Sequence, residues 1–512
     1  MQARTTMATV MGVVLVALVA VVSGQNCSLP DSDKVNCGHV GTTQAECGAH
    51  GCCWAPEGKN SGTPWCFYPA GGPVPGGAPF NATEVAMMRG FMRANLNIDN
   101  LGGVVASPDR NTPGGTYYWN WERDAALSMR MWYEHSDDSA SNLAAMMDSY
   151  VQWVLRAQNQ VDPNGIDIRA EPKYHLPNAN VFTGGWCRPQ DDGPALRSTT
   201  LILFATDLLA SNSMSYVAKY LWTGSESHYH GGAIKYDLDY VAANWASDTC
   251  DLWEELRSND FFWNRYNYYR ALVDGAAFAT KMGDSESAAT YSAAAGKVLA
   301  ALGDHWNGQF IQESSNRQKG ASVICALNDA YMGSSVEANF APTSSWVAAT
   351  VNVLSATFTD MFKINTIDTQ NGIPGVLYGR YAGDTYAGGN PWILTTAALA
   401  QLHYRAASEV VNVGKLPHDA LPHYAEMFGE SAESLGKLSV ANFALRLASA
   451  GDGVLERIRY HVAGAGFHLS EQLDRDTGFE MSATDLTWSY ANVLKAVAAR
   501  DAFVVAYERM MA

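Results

Sequence analysis

Ala195-Leu196-Arg197-Ser198-Thr199-Thr200-Leu201-Ile202-Leu203-Phe204-Ala205-Thr206-Asp207-Leu208-Leu209-Ala210 carries only two charges in sixteen positions. Its apolar residues recur at helical rather than strand spacing. The pattern returns in Leu143 to Gln160, Ser285 to Leu302, Trp346 to Phe362, Trp392 to Ala407 and Trp488 to Ala499. Strand-like alternation is scarce. Helices this rich in Ala, Leu and Met and this poor in charge belong to an inner layer packed on both sides. The expected fold class is all-α, with the large domain a two-layer helical barrel.

The whole chain supports a core of that size. It has 512 residues, 47% apolar and 17% charged, far from the composition of disordered chains. Its 34 Lys and Arg stand against 51 Asp and Glu, a net charge of −17, which argues against a nucleic-acid partner. Fifteen Trp either fill the helical core or line a site for a flat, partly apolar ligand such as a sugar. The loops between the helices are longer than a plain bundle needs and are loaded with Trp, Tyr, Asp, Arg and Gly, so function is expected there.

The N-terminal part is different. Residues 1–24 combine one Arg, the apolar run Val10 to Val22 and small residues up to Gly24, the layout of a secretory signal and too short an apolar run for a spanning helix. A secreted, extracellular protein with no membrane segment is expected. Asn81-Ala82-Thr83 is a glycosylation sequon in keeping with that; Asn26-Cys27-Ser28 is a second, adjoining a cysteine. Six of nine cysteines crowd into residues 27–66, a block too poor in aliphatic residues to fold without disulfides. An adjacent Cys52-Cys53 pair suits zinc poorly. Residues 71–80, rich in Gly and Pro, read as a linker, and the large domain is expected over 81–512.

Three loop motifs carry chemistry. Tyr117-Tyr118-Trp119-Asn120-Trp121-Glu122-Arg123-Asp124 sets aromatics ahead of an Arg-Asp pair at a helix start. In Asp251-Leu252-Trp253-Glu254-Glu255-Leu256, three carboxylates lie within five positions around a Trp, an arrangement in which repulsion and desolvation raise a carboxyl pKa. Taken alone, it also fits a solvated acidic helix start. Ser470-Glu471-Gln472, before Leu486-Thr487-Trp488-Ser489-Tyr490, supplies a second carboxylate among aromatics. One protonated and one ionised carboxyl group are what glycosidic cleavage requires.

Two resemblances sharpen this reading. The cysteine intervals of nine, nine, four, zero and twelve, with Cys52-Cys53-Trp54 and Pro64-Trp65-Cys66-Phe67, resemble a P-type trefoil module over residues 26–70. That resemblance implies the pairs Cys27–Cys53, Cys37–Cys52 and Cys47–Cys66. Trp54 and Trp65 would there either hold a glycan or serve packing. Trp121-Glu122-Arg123-Asp124, Gly185-Trp186-Cys187-Arg188-Pro189-Gln190 with Asp192 to Arg197, Asp251 to Glu255, Gly379-Arg380-Tyr381 with Gly389-Asn390-Pro391-Trp392, and Ser470-Glu471-Gln472 with Asp485 to Tyr490 are similar, in order, to the glucoamylases of glycoside hydrolase family 15. The resemblance implies an (α/α)6 barrel with a pocket at one end. It implies Glu254 as general acid and Glu471 as general base of an inverting hydrolysis, with Tyr117 and Gln472 placing the water. Arg123, Asp124 and Arg380 would anchor the terminal glucose between Trp121 and Trp488. Trp186, Trp253 and Glu255 would meet the next sugar, and the Leu252 carbonyl would accept from a hydroxyl. Asp251 is expected to support the loop. The implied substrates are starch and maltooligosaccharides, with β-glucose released from non-reducing ends.

Other family 15 specificities, trehalose or dextran hydrolysis, use the same acid, base and glucose anchor, and a non-catalytic glycan-binding protein is a further alternative. Arg257 and Asp260 depart from the family pattern. Cys187 and Cys250 each abut an active-site motif and either pair across it or remain buried thiols, with Cys325 left over. No metal and no cofactor is expected: His228-Tyr229-His230 lacks a completing ligand motif.

Overall fold

The computed structural model describes residues 27–29, 34, 42–49, 52–56, 65–67, 77–223 and 229–512. The expected signal (1–24), most of the linker, Cys37 and His228 lie outside the described residues. Among those described, twelve helices form the barrel. We label them α1 (Ala82–Ala94), α2 (Glu122–His135), α3 (Ala140–Gln158), α4 (Asp192–Ala210), α5 (Ala233–Asn244), α6 (Phe262–Lys281), α7 (Ser285–Gly303), α8 (Ser322–Ala330), α9 (Ser345–Met361), α10 (Ile393–Val413), α11 (Val440–Val462) and α12 (Thr487–Met511).

The even-numbered helices form the inner ring. α2 packs on α4, α4 on α6, α6 on α8, α8 on α10, α10 on α12, and α12 closes the ring on α2. The odd-numbered helices form the outer layer; α5, α7 and α11 cover α4, α6 and α10, while α1 lies on α12. This is the (α/α)6 arrangement. Composition sorts the layers: α4 is buried from Asp192 through Ile202, with charges turned into internal pairs. α11, by contrast, buries one face and exposes the other, as an outer helix should. α1 starts at Asn81, whose side chain accepts from the Glu84 amide while the Glu84 carboxylate accepts from the Asn81 amide, a reciprocal cap. The helix expected over Trp488 to Ala499 continues to Met511. Among the described residues no helix is long and apolar enough to cross a membrane.

The barrel wall carries one fully buried ion triad. The Arg197 guanidinium of α4 lies 2.6 and 2.7 Å from the Asp237 carboxylate of α5 and 2.9 Å from that of Glu122 at the start of α2. It ties two inner helices to an outer one. Near residue 50 a separate small cluster joins Cys47, Cys52 and Cys66 with Trp54. There Cys27 is bonded to Cys53 and Cys47 to Cys66, and Cys52 is also disulfide-bonded.

Replacing Arg197 by Met leaves Glu122 and Asp237 buried without a counter-charge. The expected loss is about 3–5 kcal/mol of unfolding free energy, read from denaturant titration; a loss below about 1 kcal/mol would show that the triad is not what binds these helices.

Candidate active site

The inner helices place their N-terminal ends, and the segments leading into them, around one cavity of about 310 Å³. Its wall takes Tyr117, Trp121, Arg123 and Asp124 from the entry to α2, and Trp186 from the approach to α4. Leu252, Trp253, Glu254 and Glu255 come from the turn before α6. Arg380, Tyr386 and Trp392 precede α10; Glu471, Leu486 and Trp488 come from the approach to α12 and its first turn. All residues expected at the site are therefore gathered at one end of the barrel. Gln472 is behind the wall rather than in it.

The Asp251–Leu256 segment is a tight turn, not a helix start. Glu254 sits there at φ 65°, a left-handed conformation that is costly for a residue with a Cβ. The three carboxylates do not face one another as the spacing suggested, because each meets a partner from elsewhere in the chain. Asp251 is buried, accepts from the amides of Glu255 and Leu256 at 2.8 and 2.9 Å, and pairs with Arg317. It braces the turn. Glu255 lies 2.7 Å from Arg380 and 3.6 Å from Arg317 and accepts from the Tyr381 hydroxyl. Arg380 is itself held by Asp384 at 2.6 and 2.8 Å. Glu254 receives Trp121 Nε1 at 2.7 Å, Gln190 Nε2 at 3.1 Å and Arg123 Nη2 at 3.5 Å, all on Oε1.

Glu471 is fully buried on the other wall. Its Oε2 accepts from Ser482 Oγ at 2.5 Å and from Gln472 Nε2 at 3.0 Å. Gln472 is sequestered, its Oε1 taking Asn390 Nδ2 at 2.9 Å, so it acts on the pocket only by holding Glu471. Burial pushes the Glu471 carboxyl up to about 7, opposed by hydrogen bonds from Ser482, Tyr117 and Gln472 and by the Arg380 charge. The Tyr117 hydroxyl also meets that of Tyr386 at 2.7 Å.

Arg123 is buried with Asp192 at 3.4 Å and Asp124 at 3.5 Å. Burial opposes its charge, but Asp192, Asp124 and Glu254 together hold it. Burial raises Asp124 to about 6 against the Arg123 charge. Among the described residues, the indole nitrogens of Trp186, Trp253, Trp392 and Trp488 are buried without a hydrogen-bond partner, and Arg123 Nε and Asp124 Oδ2 meet each other only as an ion pair at 3.5 Å. Both donors and acceptors are thus left for a ligand rich in hydroxyls.

Sequence reasoning missed Ser482, Gln190, Arg317, Asp384 and Lys173. Lys173 Nζ lies 3.4 Å from the Trp186 ring centroid and 4.5 Å from that of Trp121, and burial lowers it to about 8. Only Gln190, inside the Gly185–Arg197 motif, had a local signal. Cys187 and Cys250 form a disulfide with S–S 2.05 Å, and Cys325 is a buried free thiol. Among the described residues no group of three or more His, Cys, Asp or Glu could hold a metal.

Residues 83–498 match the family model of the glycosyl hydrolases family 15, and residues 27–69 that of the trefoil (P-type) domain. A glucoamylase of Blastobotrys adeninivorans is 33% identical over 454 residues, spanning 83% of this chain and 71% of the relative. Glucoamylase-1 of Schizophyllum commune is 34% identical over 422 residues, 79% of this chain and 70% of the relative. The structure of a family 15 glucoamylase from Hypocrea jecorina superposes with a TM-score of 0.71 at 29% identity, covering 82% of this chain and 72% of that one.

Burial also raises Glu171, Asp191 and Glu480 to about 7. These groups, with Glu471 and Asp124, keep protons in the folded protein that the unfolded chain has released, so their stabilisation drains away as pH rises through about 6–7. Glu84, Asp260 and Asp474 are lowered instead, their hydrogen bonds outweighing burial, and their contribution is lost in acid. The unfolding temperature is expected to peak near about pH 5 and to fall by about pH 7.5. A scan showing greater stability at the higher pH would contradict these assignments.

Proposed function

The chain belongs to the glycosyl hydrolases of family 15, and on that basis we propose that it is a secreted, exo-acting glucan 1,4-α-glucosidase. It releases β-D-glucose from the non-reducing ends of starch-like α-glucans by a single inverting displacement. The observation that carries this reading is one cavity walled by both Glu254 and Glu471 together with Arg123, Asp124 and Arg380. The alternative of glycan binding without turnover has no use for such a pair.

In this mechanism Glu254 is the acid. The three donors on its Oε1 leave Oε2 as the oxygen that carries the proton, which passes to the glycosidic oxygen as the C1–O bond breaks. Glu471 is the base. Ser482 and Gln472 occupy its Oε2, and the carboxylate takes one proton from the water whose oxygen bonds to C1 on the opposite face. Products leave with Glu254 ionised and Glu471 protonated, and solvent exchange restores both. Tyr117 steers that water, Gln472 orients the base, and Arg123, Asp124 and Arg380 bind the terminal glucose between Trp121 and Trp488. Trp186, Trp253, Glu255 and the Leu252 carbonyl receive the next sugar. Trp392 and Tyr386 extend the aromatic wall.

Secretion is supported by the signal-like residues 1–24 and by the disulfides. The exposed Asn81 is the proposed glycan acceptor. Trp54 and Trp65 meet edge to face at 6.2 Å, with Trp65 40% exposed, which supports a role for the trefoil module in contacting glycan surfaces.

Proton NMR of fresh maltoheptaose with the protein is expected to show β-glucose before mutarotation; initial α-glucose would overturn the acid and base roles. Glu254→Gln should lower kcat by about 10²–10⁴-fold. Because the Ser482 hydrogen bond favours ionised Glu471, Ser482→Ala should move the acid limb of kcat/KM upward by about one pH unit. An unmoved limb would remove Ser482 from the tuning of the base.

A further inference from the structure

Trp186 stands on a short segment with very different restraints on its two sides. Before it lie Gly184, whose carbonyl accepts from Arg188 Nη1 at 3.0 Å and where an added Cβ would meet the Phe182 ring at 2.4 Å, and Gly185, with nothing within 4 Å of an added Cβ; on that side only Gly185 is open to a turn of the backbone. After it, Arg188 is fixed by Glu171 at 2.6 and 3.1 Å and by the Phe182 carbonyl at 2.8 Å. The indole itself meets the rings of Trp121 at 5.9 Å and Phe182 at 6.1 Å between centroids, and Lys173 Nζ lies over it at 3.4 Å. Its N–H has no hydrogen-bond partner among the described residues. No hydrogen bond therefore sets the angle of the ring, and its placement depends on these face contacts and on the backbone beneath it.

The next residue, Cys187, is bonded to Cys250, 63 positions further along the chain. Cys250 is fully buried, and its amide donates to the Pro189 carbonyl at 2.8 Å. It immediately precedes Asp251, the brace of the Glu254 turn. Gln190 Nε2 bridges the same two segments, donating to the Cys187 carbonyl and to Glu254 Oε1, both at 3.1 Å. The covalent bond thus joins the backbone under Trp186 to the turn that carries the acid.

Building on the glucosidase reading, we infer that the Cys187–Cys250 disulfide is a positioning element for the second sugar. It holds Trp186 at a fixed distance from the Trp253–Glu255 wall, so that the site for the residue after the scissile bond exists before substrate arrives. The two cysteines touch no reacting atom; they act through Trp186. Without the bond, a turn at Gly185 is opposed only by the ring and Lys173 contacts of Trp186, and binding must fix its position each time.

The test compares the unaltered enzyme with C187A/C250A and with C250A, which leaves the pocket-side residue in place, on maltose and on α-glucosyl fluoride. The fluoride fills the terminal-glucose site but has no second sugar to meet Trp186. With the bond removed, KM for maltose should rise about tenfold, the cost of ordering one free side chain on binding. kcat for maltose and turnover of the fluoride should change by less than about twofold. Unchanged maltose kinetics in both variants would overturn the inference. So would equal losses on the two substrates, which would mark the bond as a general support of the pocket. Should the double variant not fold, C250A alone decides between the same outcomes. If the unaltered enzyme cleaves neither substrate, the glucosidase reading itself fails and takes this inference with it.

Discussion

Six inner helices closed into a ring must all present their N-terminal ends where the chain enters from the outer layer, and this constraint assembles the pocket. Every wall residue precedes an inner helix or occupies its first turn. The consequence is electrostatic as well as geometric. Helix N-termini carry unpaired amides and partial positive charge, which favour carboxylates. Asp124 and Asp192 sit in first turns, and Glu254 and Glu471 lie in the segments leading to α6 and α12. A barrel of apolar helices thereby becomes a holder for acids, with buried charges such as Arg197 paired inside its wall.

Burial then works against the same acids. Glu471 and Asp124 are pushed upward by desolvation while Ser482, Gln472, Arg380 and Arg123 pull them back. The opposition leaves Glu471 able to be protonated or ionised near the working range, as the proposed base must be. Backbone strain is present at these places too. Glu254, Ser482 and Asp485 all have positive φ, and each lies in a turn that aims a carboxylate or supports one that does. The surrounding ring must over-determine these turns for such conformations to persist.

The helices were legible in the sequence because apolar periodicity is local, and the Ala195–Ala210 run alone excluded a sheet. That Glu254 and Glu471 would meet in one pocket was legible through motif order. Their environments were not. The cluster Asp251, Glu254, Glu255 reads as three repelling charges until Arg317 and Arg380, far along the chain, are folded against it. Ser482 sits eleven positions from Glu471 in a stretch without any residue type that announces a role, and Lys173 gains its meaning only when the rings of Trp121 and Trp186 close over it. The choice between a disulfide and two thiols at Cys187 and Cys250 was open for the same reason: their spacing carries no geometric information until Pro189 and Cys250 are hydrogen-bonded. Gln472, which the family resemblance places among the water-positioning groups, has its side chain turned into the wall between Glu471 and Asn390.

The chemistry of the pocket wall narrows the ligand further than its volume does. Indole rings give broad apolar faces, yet four of their N–H groups are buried without hydrogen-bond partners among the described residues. Each such group costs about 1–3 kcal/mol when left unmet. An apolar ligand would cover the rings and leave that cost in place, while a strongly charged one would lose more to desolvation than these donors return. The pyranose proposed for this pocket has both surfaces, C–H faces for the rings and equatorial hydroxyls for the buried polar groups. A stereoisomer with one hydroxyl misplaced would leave a buried donor or acceptor unmet, so under that proposal the same groups confer selectivity.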